Sequence, residues 1–328
     1  MNKHIRGTLT DTHGRIHDYL RISLTEKCNL RCHYCMPAEG VPLSPTQITL
    51  DEIRRFSTLF SALGVSKVRL TGGEPLVRRD LPEIVETLSS DFSQIGVTTN
   101  GTLLTRKLPP LVDRGLSHVN ISLDSLVPAK NEFITRRPNT TAPALKGLEQ
   151  AVALGCVTKL NVVAMRNFND DEFADFAALS QNLPVEIRFI EFMPFDKNDW
   201  KTGKFIPQDE IMAKIKERFP EVTPLENDKN STSRAYQIPG FEGRIGFISS
   251  MSKHFCGGCN RLRMTADGHL KVCLFDNGEV NLKELLPTHS DEQLLEVVQS
   301  ALNKKAYSHG GINSIIAREN RPMVRIGG

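Results

Sequence analysis

From residue 19 onward the chain alternates short apolar runs with longer stretches in which apolar residues recur every three or four positions. Runs of strand length fall at 19–25, 67–71, 95–99, 118–123, 158–164 and 185–192, and helix-like spacing falls between them at 81–88, 108–114, 143–154 and 170–179. The first helix has the clearest signal. Thr49 and Glu52 form a capping-box pair ahead of Ile53, Phe56, Phe60 and Leu63, and Gly64 ends the segment. Strands alternating with helices in this way predict a parallel sheet with helices outside. Six such units suffice for a curved or partial (β/α)6 barrel of TIM-like form, with its functional loops after the strand C-termini.

The same strands carry a second pattern. Arg21 and Ser23 share one parity, as do Arg69 and Thr71, Thr98 and Asn100, Asn120, Ser122 and Asp124, and Lys159 and Asn161; the opposite parity is apolar, as in Leu20, Ile22 and Leu24. Helices cover the apolar face, so the polar face points into the barrel. Unpaired cations there are costly to bury, and three basic residues on three strands call for a polyanion in the lumen. The other reading of Arg21, Arg69 and Lys159 is solvated strand ends or acidic partners within the protein. The sixth strand fits less neatly, since Arg188 lies on the opposite parity to Glu191 and Met193.

Either side of the barrel pattern the composition changes. Residues 1–18 read as a polar arm with a turn at Asp11 to Arg15, and 196–233, rich in Lys, Asp, Asn and Pro, read as a linker region with a helix-like stretch at 208–219. Residues 234–328 read as a smaller C-terminal α+β domain. It has strands at 236–238 and 244–248, a hairpin from 261–265 to 269–273 turning at Asp267-Gly268, and a helix at 294–302. The barrel itself spans 19–195.

A formal net charge of +3 on 328 residues is too mild for a nucleic-acid surface, and no apolar run approaches a membrane span. The N-terminal residues lack a signal-peptide core, so a cytoplasmic protein is expected. In that compartment seven cysteines indicate metal or catalysis, not disulfides. They divide into Cys28, Cys32 and Cys35, a lone Cys156 read as packing, and Cys256, Cys259 and Cys273.

Cys28-x3-Cys32-x2-Cys35, with Tyr34 before the last thiol, puts three ligands in one loop after the first strand. Structural zinc takes four protein ligands, whereas three thiolates suit an iron-sulfur cube with one open iron. The spacing resembles the signature of the radical S-adenosylmethionine (SAM) enzymes. In that superfamily the open iron chelates SAM, and the fold is a partial TIM-like barrel. Cys256-Gly-Gly-Cys259 followed by Cys273 gives a second set of three, for which zinc completed by His254 or His269 is the alternative to a second cluster.

Further motifs narrow the resemblance. Arg69-Leu-Thr-Gly-Gly-Glu-Pro75, Thr98-Thr-Asn-Gly101, Asn120-Ile-Ser-Leu-Asp124, Arg188-Phe-Ile-Glu-Phe-Met193, Cys259-Asn-Arg-Leu-Arg263 and the Gly327-Gly328 end together resemble the GTP 3',8-cyclase family of molybdenum cofactor biosynthesis. The resemblance implies two [4Fe-4S] clusters, the first on Cys28, Cys32 and Cys35 and the second on Cys256, Cys259 and Cys273. It implies SAM contacts from Tyr34, Gly73, Ser122 and Met193, and GTP contacts from Arg21, Arg69, Thr98, Lys159, Arg261 and Arg263. It also implies a tail, Gly327 and Gly328, that reaches the active site. No residue is read as an acid or base. The implied lyase reaction joins ribose C3' of GTP to guanine C8, with the product passed to a cyclic pyranopterin monophosphate synthase; nucleic acid and membrane are not expected as partners, and the chain is expected as a monomer or homodimer. The competing readings are a peptide-modifying radical SAM enzyme, an iron-sulfur electron carrier and a zinc-bearing binding module.

Overall fold

The computed structural model describes residues 7–196, 198 and 200–327. Its frame is one sheet of twelve strands in the order β12-β11-β10-β1-β2-β3-β4-β5-β6-β9-β8-β7. The six expected strands lie side by side and parallel as β1 (Tyr19–Ser23), β2 (Lys67–Thr71), β3 (Gln94–Thr99), β4 (His118–Ser122), β5 (Val157–Ala164) and β6 (Glu186–Glu191). Their apolar parity packs outward against helices. Leu20, Ile22, Val68, Leu70, Val97, Val119 and Leu160 are all buried in one core with Ile53, Phe56, Phe60, Ile84 and Leu148 from the covering helices.

Local chemistry explains where these helices begin. Helix Leu50–Ala62 starts on the expected capping box, the Thr49 hydroxyl accepting from Glu52 N at 3.2 Å and Glu52 Oε2 accepting from Thr49 N at 2.7 Å. The single helix expected at 108–114 is instead two short ones, Leu104–Lys107 and Pro109–Val112, because Pro109 and Pro110 supply no N–H donor to a continuous helix. Helix Pro128–Thr135 gives no comparable apolar period in the sequence; it starts on a proline and ends in the left-handed residue Arg136 (φ 54°).

The C-terminal strands build onto the barrel. β10 (Arg261–Met264) runs parallel to β1, and β9 (Arg244–Ile248) runs parallel to β6, so both flanks of the barrel sheet are extended by late segments of the chain. Antiparallel hairpin partners follow outward: β11 (His269–Lys271) and β12 (Val280–Asn281) beyond β10, and β8 (Arg234–Gln237) and β7 (Thr223–Pro224) beyond β9. The outermost strands have two residues each, and one holds a proline, which blunts the sheet edges. Residues 196–233 contain helix Gln208–Arg218, and the Asp11 to Arg15 turn closes on Gly14 (φ +75°). Among the described residues no helix is long and apolar enough to cross a membrane.

Candidate active site between two cysteine triads

Parallel register turns the polar parity of the strands into rows on the concave face. Arg263, Arg21, Arg69 and Gly96 are successive register partners across β10, β1, β2 and β3, and Arg261, Tyr19, Lys67 and Gln94 form the row below. These rows line a cavity of about 510 Å³ that also receives Thr98, Asn120, Ser122, Lys159, Asn161 and Arg188. All ten residues that the resemblance gave to SAM and GTP face this one space: Tyr34, Gly73, Ser122 and Met193, and Arg21, Arg69, Thr98, Lys159, Arg261 and Arg263. Thr98 Oγ1, Asn120 Oδ1 and Arg261 Nε are buried without a hydrogen-bond partner among the described residues. A polar ligand would satisfy them.

The basic side chains are held rigidly. Arg69 donates from Nε to Tyr19 Oη at 2.7 Å and from Nη1 to Val97 O at 3.1 Å. Its guanidinium lies on Gly96, where a Cβ would come within 2.8 Å of Cζ. Arg188 donates to Asn161 Oδ1 at 2.9 Å. The parity problem of the sixth strand resolves here: Glu191 also borders the cavity but accepts bonds from Gln208 N, Met251 N and the Ser252 backbone and hydroxyl, while Arg188 reaches Asn161. Lys159 has an acidic partner within the protein, Glu186 at 3.0 Å, and Glu186 also pairs with Arg244 at 3.1 Å.

The crowding registers in the protonation equilibria. Burial, then the neighbouring Arg263, pushes Arg21 well below the usual guanidinium range; burial and Arg261 bring Arg263 to about 10. Burial acts to raise the Tyr19 phenol, but Arg69, Arg21 and Arg188 outweigh it and bring it down to about 7.

The first triad lines the opposite part of the cavity. Its loop is fixed from below by Gly72 and Gly73: Gly73 N donates to Thr25 O at 2.6 Å, and a Cβ on Gly73 would come within 2.4 Å of Lys27 O. The visible demand for glycine is therefore close approach to the 25–27 backbone. From above, the loop is clamped by the helix that the apolar period did not reveal. Arg31 N and His33 N donate to Thr135 O and Ile134 O, and the Arg136 guanidinium donates to Arg31 O and Met36 O. The surroundings are acidic and buried. Burial first, with Glu74 adding to it, raises Cys28 to about 11 against the pull of Leu30 N and Arg31; burial, then the other thiols and Asp124, raises Cys35 to about 12 and Cys32 well above its ordinary value. Burial likewise raises Asp124 to about 6 and Glu74 to about 7.

The second triad stands behind the cavity wall, whose surface is made by its neighbours Phe255, Asn260 and Leu274. Cys256 and Cys259 bracket a 3-10 turn, Cys259 N donating to Cys256 O at 3.1 Å. Gly258 presses on the 229–230 backbone, where a Cβ would come within 2.3 Å of Lys229 O. Burial acts to raise Cys259, but Arg261 and Lys305 overcome it and bring the thiol to about 6. Of the two candidate zinc histidines, His254 packs edge-on to His309 at 5.3 Å, and His269 Nδ1 lies 3.2 Å from Asp267. Among the described residues no three His, Cys, Asp or Glu side chains converge to hold a single ion. Gly327 O accepts from Arg263 at 2.9 Å, and with φ +82° a Cβ there would come within 2.6 Å of Thr71 Oγ1; Gly328 lies outside the described residues. Cys156 is buried in the core.

Several lining residues carried no functional signal in the sequence. Tyr19 and Lys67 share the parity of Arg21 and Arg69 and were legible in principle; Asp228 and residues 230–233, from the polar linker, were not.

Two family models divide the chain. The radical SAM superfamily model matches residues 22–179 and the Molybdenum Cofactor Synthesis C model matches residues 185–311. The GTP 3',8-cyclase of Alkaliphilus oremlandii is 42% identical over 326 residues, covering 98% of this chain and all of that protein. The chain belongs to the GTP 3',8-cyclase family. Human molybdenum cofactor biosynthesis protein 1 is 51% identical over 324 residues, 97% of this chain and 51% of that protein, so the chain spans about half the length of such relatives. Among solved structures, Streptococcus suis SuiB bound to S-adenosylmethionine has a TM-score of 0.62 at 13% identity, over 94% of this chain and 76% of that chain, which supports the fold alone. Membership of the radical SAM superfamily implies SAM and a [4Fe-4S] cluster. Three cavity-facing thiols on one clamped loop fit such a group.

Proposed function

We propose that this member of the GTP 3',8-cyclase family uses SAM to join ribose C3' of GTP to guanine C8, giving (8S)-3',8-cyclo-7,8-dihydroguanosine 5'-triphosphate. Cys28, Cys32 and Cys35 would hold the SAM cluster, and Cys256, Cys259 and Cys273 a second [4Fe-4S] cluster beside the guanine. When bound, the first cluster and SAM would supply a 5'-deoxyadenosyl radical able to take the C3' hydrogen, and the second would supply an iron site for the base. The observation that carries this reading is the single cavity lined by the first cysteine triad and by all ten residues that the resemblance gave to SAM and GTP, with a crowded guanidinium row on its strands.

The chain's own residues divide the work. Arg21, Arg69, Arg261 and Arg263 offer fixed donors to a triphosphate, whose charge relieves their mutual repulsion. Thr98 and Asn120 have open hydrogen-bonding positions for ribose or phosphate. Asp124 and Glu74 lie buried beside the first thiols, where burial favours their neutral forms and a bound cation such as the sulfonium of SAM would favour their ionisation. The Gly327-Gly328 tail, entering beside Arg263, belongs to this machinery, and hand-over of the product to a cyclic pyranopterin monophosphate synthase completes the reading.

The test is 5'-deoxyadenosine formation by anaerobically reconstituted protein with SAM and a strong reductant, comparing GTP, ATP and no nucleotide. Stimulation by GTP alone, with a cyclised nucleotide as product, is expected. Formation indifferent to nucleotide would return the substrate to a different radical SAM chemistry, such as peptide modification.

A further inference from the structure

Lys305 is a buried lysine, 4% exposed, on the segment after helix Asp291–Asn303. Its Nζ donates to Cys259 Sγ at 3.4 Å and to Arg261 O at 3.1 Å. Among the described residues no carboxylate lies within ion-pair distance of it. A buried ammonium without a counter-charge is costly by several kcal/mol, so an anion must stand opposite.

The neighbouring cations have other counterparts available. Arg261 and Arg263 face the cavity and meet a polyanionic substrate there. Lys305 does not line the cavity, so the sulfur ligands are the negative charge within its reach. Burial pulls its pKa down, and Cys259 and Cys273 pull it back up. Its backbone surroundings are pinned as well. Arg15, paired with Asp11 at 2.6 Å, donates to Cys256 O at 2.8 Å, to Tyr307 O at 2.9 Å and to Ala306 O at 3.1 Å, tying the lysine segment and the Cys256 turn to the same guanidinium.

We propose that Lys305 is a positioning residue for the second cluster: its ammonium is the fixed counter-charge of the Cys256, Cys259 and Cys273 ligand set and holds that cluster's reduction potential above the value the thiolates alone would give. The inference rests on the two-cluster reading above. One-electron reduction adds a negative charge to the cluster, and a hydrogen-bonded cation at a ligand sulfur favours the reduced form. The first triad, in its acidic surroundings, has no such cation on a sulfur among the described hydrogen bonds.

The test isolates the second cluster in the full chain by replacing Cys28, Cys32 and Cys35 with Ala, then compares Lys305, Lys305→Met and Lys305→Arg by iron content and EPR-monitored redox titration. The expected result is one cluster in all three, a midpoint shifted to more negative potential in Lys305→Met, and recovery towards the parent in Lys305→Arg. An unchanged midpoint in a fully loaded Lys305→Met overturns the proposal. Equal loss of iron from the Met and Arg variants, with the parent's far-UV dichroism and unfolding temperature, also overturns it, since packing and not charge would then be the role. If the three-Ala parent folds but binds no iron, the two-cluster reading itself falls. Should that parent fail to fold, the same variants in the otherwise unaltered chain give the midpoint of the signal that SAM does not perturb, judged by the same criterion.

Discussion

The two triads carry the same ligand set, three cysteines, in different surroundings, the first lining the cavity and the second behind its wall. Around Cys28, Cys32 and Cys35 the neighbours are thiols, Asp124 and Glu74, and burial raises every one of these groups. Around Cys259 the neighbours are Arg261 and Lys305, and that thiol is pulled down, while burial raises Cys256. The same ligand count thus sits in two settings, one ringed by buried acids and thiols and the other touched by two basic side chains. On the function proposed above, SAM meets the first triad and the triphosphate meets the arginine row in front of the second.

The largest effect should separate the triads completely. Replacing Cys28, Cys32 or Cys35 by Ala is expected to abolish 5'-deoxyadenosine formation, whereas replacing Cys256, Cys259 and Cys273 together should lower iron per chain by about half and abolish cyclised product, leaving slow SAM cleavage. Iron analysis and chromatography of the nucleosides check both arms; equal behaviour of the two triads would break the comparison.

Arg69→Met should act on one end only. Loss of charge-assisted hydrogen bonds worth about 1.5–3 kcal/mol is expected to weaken GTP binding about ten- to a hundredfold by equilibrium dialysis, with SAM affinity unchanged. Gly96→Ala is a gentler perturbation of the same cation, since the added methyl meets the Arg69 guanidinium. Displacing it at a cost of about 1 kcal/mol should raise the KM for GTP roughly threefold to tenfold while kcat holds.

The smallest effect is a titration. Tyr19 has a folded-state pKa near 7, below the phenol's ordinary value near 10. Between these values the native chain binds fewer protons than the unfolded one, so this group's contribution to stability rises with pH through that window and is absent below it. Phenolate absorbance should show a step near pH 7 that Tyr19→Phe removes. Triphosphate, by neutralising Arg69 and Arg21, should move the step upward. A step that ignores triphosphate would place the polyanion elsewhere.

Much of this arrangement was legible because strand parity is unforgiving. Arg21, Arg69, Thr98 and Lys159 faced the lumen as their alternation required, and both triads announced themselves by spacing. The illegible parts lie where no periodicity operates. Helix Pro128–Thr135 clamps the first loop through backbone carbonyls and Arg136, contacts that any sequence of suitable shape could make. Lys305 and Arg15 reach the second triad from opposite ends of the chain, and Asp228 with residues 230–233 enters the cavity from a stretch chosen for its turns. Parity placed Lys159 correctly on the cavity, but the inference of an unpaired charge overreached there, since Lys159 meets Glu186 within the protein. Gly73 was expected beside SAM, and its demand for glycine comes from the backbone of residues 26–27.

One feature of the sheet bears on how the chain is made. β1 sits between β2 and β10, so one of its edges is covered early in synthesis and the other waits for Arg261 to Met264. At roughly 5–20 residues per second, that edge stays open on the ribosome for on the order of tens of seconds. Throughout this interval the strand that leads into the first cysteine loop presents one unpaired edge, a template on which another chain can pair before β10 arrives to close it.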